Sequence, residues 1–247
     1  MLRYPILLVH GVAARDGRHA FGRIPAALRD LGIPVLFGGH DAWGTFEDNA
    51  ALLQKTIEKS GYDKVNIVAH SKGGLDARYL ISVLDKGRRV ASLTTVATPH
   101  GGSYAMERML RFPTWRATAA LMTAGARLSG DRHPHVYTVS RALTPAGLAA
   151  FNRQCPDVPG VFYQSYGAVM SKARRDPAYA LLYRFVRRAE GANDGVVSAL
   201  SARWTNFHAL TLDVSHGDLA DGHHYRPRRD VRPLYLDIVK ALEAQGL

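Results

Sequence analysis

Residues 65–74 read Val-Asn-Ile-Val-Ala-His-Ser-Lys-Gly-Gly, an apolar run that ends in a serine followed closely by two glycines. The run is typical of a buried strand, and the glycines indicate a tight turn into a helix, with Ser71 at the bend. Such a turn needs small residues on both sides, and Ala69 and Gly73 supply them. A serine hydroxyl exposed at a helix N-terminus becomes a nucleophile when a base accepts its proton. Ser71 is therefore the candidate nucleophile.

The segments around this turn alternate between strand-like and helix-like patterns, which favours an α/β class with parallel strands and crossover helices. Strands are expected at residues 6–9, 34–37, 65–69, 90–96, 161–165 and 209–214, and helices at 24–31, 49–60, 72–84 and 231–242. From about 103 to 151 the strand pattern stops and Ala, Leu, Met and Arg dominate, which predicts a helical segment inserted as a cap. Residues 1–247 are expected to form a single domain that includes this cap.

The composition excludes several classes of protein. Of the 247 residues 47% are hydrophobic and 21% charged, which is unlike a disordered, collagen-like or coiled-coil chain. The single cysteine, Cys155, rules out an intramolecular disulfide and a multi-cysteine metal site. The formal charge of +11 favours contact with anionic surfaces, but the arginines come in scattered pairs without interleaved aromatic residues. We therefore expect a solvated basic surface and no nucleic-acid partner.

The apolar runs stay short of the roughly 18–20 residues that span a bilayer. The first run, residues 6–9, is too short for a signal peptide and is ended by His10 and Gly11. The chain as given is therefore expected to be cytoplasmic; secretion is the alternative, if it is a mature or leaderless form.

His10 and Gly11 also follow the first predicted strand, where a loop can face the turn at Ser71. The backbone N–H groups of Val12 and Lys72 are then expected to point at the same spot and to form a two-donor oxyanion hole. The side chain of Lys72 is expected to point outward into solvent. The alternative interpretation of His10 and Gly11 is an ordinary turn at the end of a strand.

Four segments match motifs of one enzyme family in that family's order: residues 4–12 (YPILLVHGV), 69–74 (AHSKGG), 97–103 (ATPHGGS) and 193–197 (NDGVV). Through them, and over nearly its whole length, the chain resembles bacterial triacylglycerol lipases of the α/β-hydrolase superfamily. Ala69 departs from the pseudomonad-like members, whereas other bacterial lipases resemble this chain there. The resemblance implies an α/β-hydrolase fold, a mostly parallel sheet flanked by helices.

The resemblance also implies a lipase or esterase that cleaves acylglycerols or other acyl esters through an acyl-enzyme on Ser71. The substrate would be a lipid or a small acyl ester, and the chemistry would need no cofactor. A thioesterase or an amidase would use the same residues, so these activities are alternatives. A non-catalytic hydrolase-like scaffold that binds anionic lipid is a further alternative.

In this superfamily the acid and then the histidine follow the nucleophile along the chain. Asp194 lies in Gly-Ala-Asn-Asp-Gly, a loop tight enough to aim a short carboxylate, and it resembles the family's acid. The alternative interpretation is an Asx-turn before the next segment. Asp213 and Asp218 are nearby competitors.

Chain order leaves His208, His216, His223 and His224 as candidates for the base. His208 precedes a predicted strand, so it would lie at the end of the sheet away from the carboxyl edge, where such sheets place their sites. His216 follows that strand, and its segment resembles the family's catalytic His-x-Asp motif. His223 and His224 are interpreted as surface residues, although one of them could line the entrance. His216 is therefore the candidate base.

The resemblance implies a metal as well. Asp176 and Asp218 match, by order and by neighbouring residues, two carboxylates that hold a structural calcium in similar lipases. The backbone carbonyls of Gly222 and Arg226 would complete the ligand set. The alternative is that Asp176 caps a helix before Pro177 and that Asp218 lies in a surface turn.

The cap carries apolar side chains that can cover the nucleophile and open at a lipid interface. They are Met106, Met109, Leu110, Phe112, Trp115, Leu121 and Met122. Packing of the cap against the rest of the chain is the alternative interpretation.

Overall fold

A computed structural model describes residues 1–12, 14, 20–222 and 229–247 of the chain. A six-stranded sheet runs through the molecule in the order β2-β1-β3-β4-β5-β6, and each neighbouring pair is parallel. The strands are β1 (Ile6–Val9), β2 (Val35–Phe37), β3 (Val65–His70), β4 (Val90–Val96), β5 (Phe162–Val169) and β6 (Phe207–Asp213). The predicted α/β class and the parallel sheet are confirmed.

The α-helices of the described residues connect and flank these strands. They are α1 (Ile24–Asp30), α2 (Phe46–Lys59), α3 (Gly73–Tyr79), α4 (Tyr104–Leu110), α5 (Trp115–Leu128), α6 (Val136–Ala142), α7 (Pro145–Gln154), α8 (Ala180–Glu190), α9 (His216–Leu219) and α10 (Arg232–Ala244). Helix α3 continues as a π-helical turn, Leu80–Leu84, and a 3-10 helix, Ala173–Arg175, precedes α8. Helix α2 begins earlier than predicted because the Thr45 side chain accepts the N–H of Asp48 and caps the helix there.

Alternation along the strands fills two hydrophobic layers, one on each face of the sheet. Ile6 and Leu8 of β1 pack in the layer that α1 and α10 cover, whereas Leu7 and Val9 pack in the layer that α2 and α3 cover. All four side chains are fully buried. Helices cover both faces of the sheet, so a substrate can approach the strands only at the edge where they end.

The predicted cap lies between β4 and β5 and contains α4, α5, α6 and most of α7. Its apolar side chains form separate clusters around Trp115 and around Phe151. Among the residues that the structure describes, none of the helices combines the length and the apolar character that crossing a bilayer requires.

Candidate active site

Ser71 lies at the carboxyl end of β3, in a backbone conformation that is rare for a residue with a side chain. Its φ is 55°, in the left-handed region. The neighbouring chain is packed so closely that a Cβ on Gly73 would lie 2.4 Å from the carbonyl oxygen of His10, and one on Gly11 would lie 2.6 Å from Cβ of Ser71. The backbone N–H of Ser71 donates to the carbonyl of Val96 at 2.9 Å, which pins the bend to β4.

His216 joins Ser71 and Asp194 in one line of hydrogen bonds. Its Nε2 lies 2.9 Å from Oγ of Ser71, and its Nδ1 lies 2.7 Å from Oδ2 of Asp194. His216 is 145 residues from Ser71 along the chain and 22 residues from Asp194, and all three side chains are buried. With Asp194 ionised, Nδ1 carries the proton and Nε2 is free to accept one from the serine hydroxyl.

The two carboxylate oxygens of Asp194 have different partners. Oδ1 accepts the N–H groups of Val196 at 2.9 Å and Val197 at 2.8 Å, while Oδ2 faces His216. The contacts of Oδ1 are those of the Asx-turn, one of the two interpretations of this loop, and Oδ2 has the contact with His216 on which the other interpretation, the acid, depends. Asp213 instead accepts two hydrogen bonds from Ser171.

The main chain of His216 is held from two sides. Its N–H donates to the carbonyl of Asp194 at 2.8 Å, and its carbonyl accepts Nε2–H of His70 at 3.0 Å. Burial lowers the pKa of His70 well below its ordinary value, so this imidazole is neutral. The sequence interpretation missed His70, although its place next to Ser71 in the quoted stretch was the available signal.

The other candidate histidines lie elsewhere. His208 belongs to β6, which starts earlier than predicted, and its ring stacks on Tyr166 at 4.7 Å. It remains near the start of the strand, at the edge away from Ser71. His223 and His224 lie outside the described residues.

The two residues expected to donate backbone N–H groups to an oxyanion lie in the turn after β1 and at the start of α3. Val12 follows Gly11 in the turn after β1 and lines the cavity described below, and Lys72 directly follows Ser71 as the N-cap residue of α3. Such a helix N-terminus directs N–H groups and a positive dipole toward a developing negative charge.

The predicted outward orientation of the Lys72 side chain is wrong. Lys72 is 1% exposed, and its Nζ lies 2.8 and 2.9 Å from the two carboxylate oxygens of Asp76. The two residues are one helical turn apart on α3, so the lysine follows the helix surface inward. Burial raises the pKa of the Asp76 carboxyl to about 6, although Lys72 opposes this. Asn49 donates to the same carboxylate at 2.9 Å.

A cavity of about 450 Å³, called here the acyl cavity, opens beside the histidine. His10, His70 and His216 line its polar side, and the rest of the lining is mainly apolar. Of the apolar cap side chains predicted to cover the nucleophile, Met106, Met109, Trp115 and Met122 line it, and the cap also contributes Ser103 and Ala105. Leu110 packs in the cluster around Trp115, while Phe112 and Leu121 are exposed.

The residues expected to bind calcium have other partners. Oδ2 of Asp176 accepts the hydroxyl of Ser215 at 2.7 Å, and Oδ2 of Asp218 accepts the backbone N–H of Ser215 at 3.1 Å. The guanidinium of Arg175 lies 3.3 Å from that Asp218 oxygen. Calcium needs six or more oxygen ligands, and a cationic side chain at a ligand oxygen does not fit such a site.

Gly222 and Arg226 are the other two residues that were expected to bind calcium. Gly222 lines the acyl cavity, and Arg226 lies outside the described residues. Within the described ranges, histidines, cysteines and carboxylates form no group of three or more that could hold a metal ion.

Comparison with known proteins places this geometry in context. Residues 5–145 match the family model for palmitoyl protein thioesterase. The triacylglycerol lipase of Pseudomonas fragi is 30% identical, over 99% of this chain and 98% of the lipase. The triacylglycerol lipase of Vibrio cholerae is 31% identical, over 99% and 89%. A solved metagenomic carboxyl esterase is 19% identical, covers 98% of this chain and 76% of its own, and shares the fold with a TM-score of 0.80.

Proposed function

This chain belongs to the triacylglycerol lipases and to the palmitoyl protein thioesterase family of the α/β-hydrolase superfamily and is a carboxylester hydrolase, and we propose that Ser71, His216 and Asp194 perform the hydrolysis. The observation that carries the proposal is the unbroken line of hydrogen bonds from Ser71 Oγ through His216 to Asp194, at 2.9 and 2.7 Å. In a fold of this class, that arrangement at the carboxyl edge of the sheet is suited to acyl transfer.

In the first half of the proposed reaction, Ser71 Oγ attacks the ester carbonyl carbon while its proton moves to Nε2 of His216. Asp194 stabilises the resulting imidazolium through its 2.7 Å contact with Nδ1. The N–H groups of Val12 and Lys72 stabilise the oxyanion of the tetrahedral intermediate. His216 then gives the proton to the departing alcohol, and the acyl group stays on Ser71.

In the second half, water attacks the acyl-enzyme, His216 accepts the proton of the water, and the acid leaves as Ser71 recovers its hydrogen. Each of these steps uses groups of this chain and water, so we propose no cofactor for the chemistry. Calcium has no part in the proposed cycle because Arg175 already contacts Asp218.

The acyl cavity favours an apolar acyl chain. Its lining by Met106, Met109, Trp115 and Met122 offers dispersion contacts and no charged partner from the cap. The cap also exposes Phe112, at 59%, in the turn between α4 and α5, and Leu121, at 76%, on α5. We therefore propose that the cap is a lid whose outer face contacts a lipid interface.

A thioesterase activity is the second candidate, and the match of residues 5–145 to the palmitoyl protein thioesterase model favours it. The same nucleophile and base would attack a thioester carbonyl, with a thiol as the leaving group. Rates measured with matched acyl esters and thioesters of graded chain length, with and without an emulsion, separate the two activities. A rate maximum on esters assigns the chain as a lipase, and one on thioesters assigns the second candidate.

The experiment that tests the proposed residues is covalent labelling with an active-serine phosphonate. Wild-type protein should incorporate one label at Ser71, and Ser71→Ala should incorporate none and hydrolyse no ester. Ser129→Ala, at an exposed serine of the cap, is the matched control and should label fully. Hydrolysis that persists in Ser71→Ala would refute the assignment.

A further inference from the structure

Arg175 connects the end of β6 to the short helix that begins with His216. It ends the 3-10 helix before α8, and its side chain is 21% exposed. Its Nε donates to the backbone carbonyl of Asp213 at 2.9 Å. Its Nη2 donates to Oδ2 of Asp218 at 3.3 Å. One planar guanidinium therefore contacts the chain both before and after His216.

The Asp218 carboxylate that Arg175 contacts also caps α9. Oδ2 of Asp218 accepts the N–H of Ser215, and the hydroxyl of Ser215 accepts the N–H of Asp218 at 3.2 Å. This capping box fixes the first turn of α9, where His216 is the first residue. Asp218 is only 4% exposed, and a carboxylate so deeply buried needs a cationic or hydrogen-bonding partner.

We propose that Arg175 is a positioning residue, a built-in cation that holds the turn carrying His216 in place for the reaction. The proposal rests on the proposed function, since it takes His216 as the base. Arg175 reaches a carbonyl and a carboxylate at once because its N–H donors diverge in a rigid plane, which a lysine ammonium on a flexible stem does not reproduce. The 2.9 Å contact between His216 and Ser71 depends on where this turn lies.

This arrangement explains why the residues expected to hold calcium do not fit it. A divalent cation on Asp218 would lie against the guanidinium, and like charges at that distance repel. The chain's own arginine thus supplies the positive charge beside the carboxylate. We infer that wild-type stability and activity are independent of calcium.

The test compares Arg175→Gln, which removes the charge, with Arg175→Lys, which retains it. Arg174→Gln is the matched control, because Arg174 lies in the same 3-10 helix and is exposed. The measurements are kcat and KM on a soluble short-chain ester, the fraction labelled by the phosphonate, and Tm with added calcium or chelator. Normalising kcat to the folded fraction, measured by circular dichroism, separates misplacement of His216 from loss of folded protein, because labelling of Ser71 itself depends on His216.

We expect Arg175→Gln to lower kcat by at least about tenfold with KM within about twofold, because the base is displaced while the acyl cavity is intact. Arg175→Lys should recover part of kcat, and Arg174→Gln should match wild type. Wild-type Tm should be the same with calcium and with chelator.

Wild-type kcat in Arg175→Gln would overturn the proposal, as would a fall in wild-type Tm on chelation. If Arg175→Gln does not fold, the test rests on Arg175→Lys. A kcat of Arg175→Lys equal to that of wild type then overturns the requirement for a guanidinium. Failure of the proposed function gives a different result, because Ser71→Ala would then keep its hydrolysis and wild type would not label at Ser71.

Discussion

Replacing Asp194 by asparagine changes one oxygen of the side chain to an NH2 group and leaves its size almost the same. Oδ1 of Asp194 accepts two backbone N–H groups, from Val196 and Val197, so the remaining amide oxygen is retained on that side. The amide NH2 then faces Nδ1 of His216, which must become an acceptor. The imidazole proton moves to Nε2 and points at Ser71, where a lone pair is needed.

The size of the effect follows from this change of tautomer. The same substitution in another serine–histidine–aspartate enzyme, where the geometry stays intact and the tautomer is wrong, lowers kcat by about 10⁴-fold. Four factors of ten correspond to about 5.4 kcal/mol of transition-state stabilisation. Binding of substrate in the acyl cavity does not involve Asp194, so KM should change little.

The assay is hydrolysis of a soluble p-nitrophenyl ester by purified Asp194→Asn, with kcat and KM determined separately. Asp63→Asn, at an exposed aspartate, is the control and should retain wild-type kinetics. A kcat within about tenfold of wild type in Asp194→Asn would refute the reasoning, because the two backbone N–H groups would then not have fixed the amide orientation.

Ser71→Ala should lower kcat by about 10⁶-fold with an unchanged circular dichroism spectrum, since the acyl-enzyme cannot form; residual turnover near wild type would contradict this. His216→Ala should be nearly as inactive in the same ester assay, whereas His208→Ala, at the far end of β6, should retain activity. Lys72→Met should lower the free energy of unfolding by about 3–5 kcal/mol near pH 8, because Asp76 is left buried without its cation. Burial raises the folded-state pKa of Asp76 to about 6 from 3.8, so its contribution to stability is present at low pH and is lost as the pH rises through 6. In urea unfolding, Lys72→Met should therefore lose less free energy of unfolding at pH 5 than at pH 8. Equal losses at the two pH values would contradict the assignment of Asp76 as the charged partner of Lys72.

Local patterns of apolar and small residues in the sequence were sufficient to predict the α/β architecture. The runs that became β1, β3 and β4 are buried on both faces, and such strands appear in the sequence as mainly apolar runs rich in β-branched residues. The turn at Ser71 was likewise readable, because close approach of the backbone demands small residues at fixed positions beside it. The order of residues along the chain then reduced the candidate acid and base for Ser71 to a few aspartates and histidines.

Only the tertiary structure decided which of those partners meet, because the contacts span 22 and 145 residues. Asp194, Asp213 and Asp218 are alike as residues, and each accepts a backbone N–H on one oxygen. What distinguishes Asp194 is that its other oxygen faces His216. The place of Arg175 beside Asp218, 43 residues away along the chain, has the same origin. Periodicity reports which face of an element is buried, but the partner of a buried charge is set by packing between segments distant in sequence.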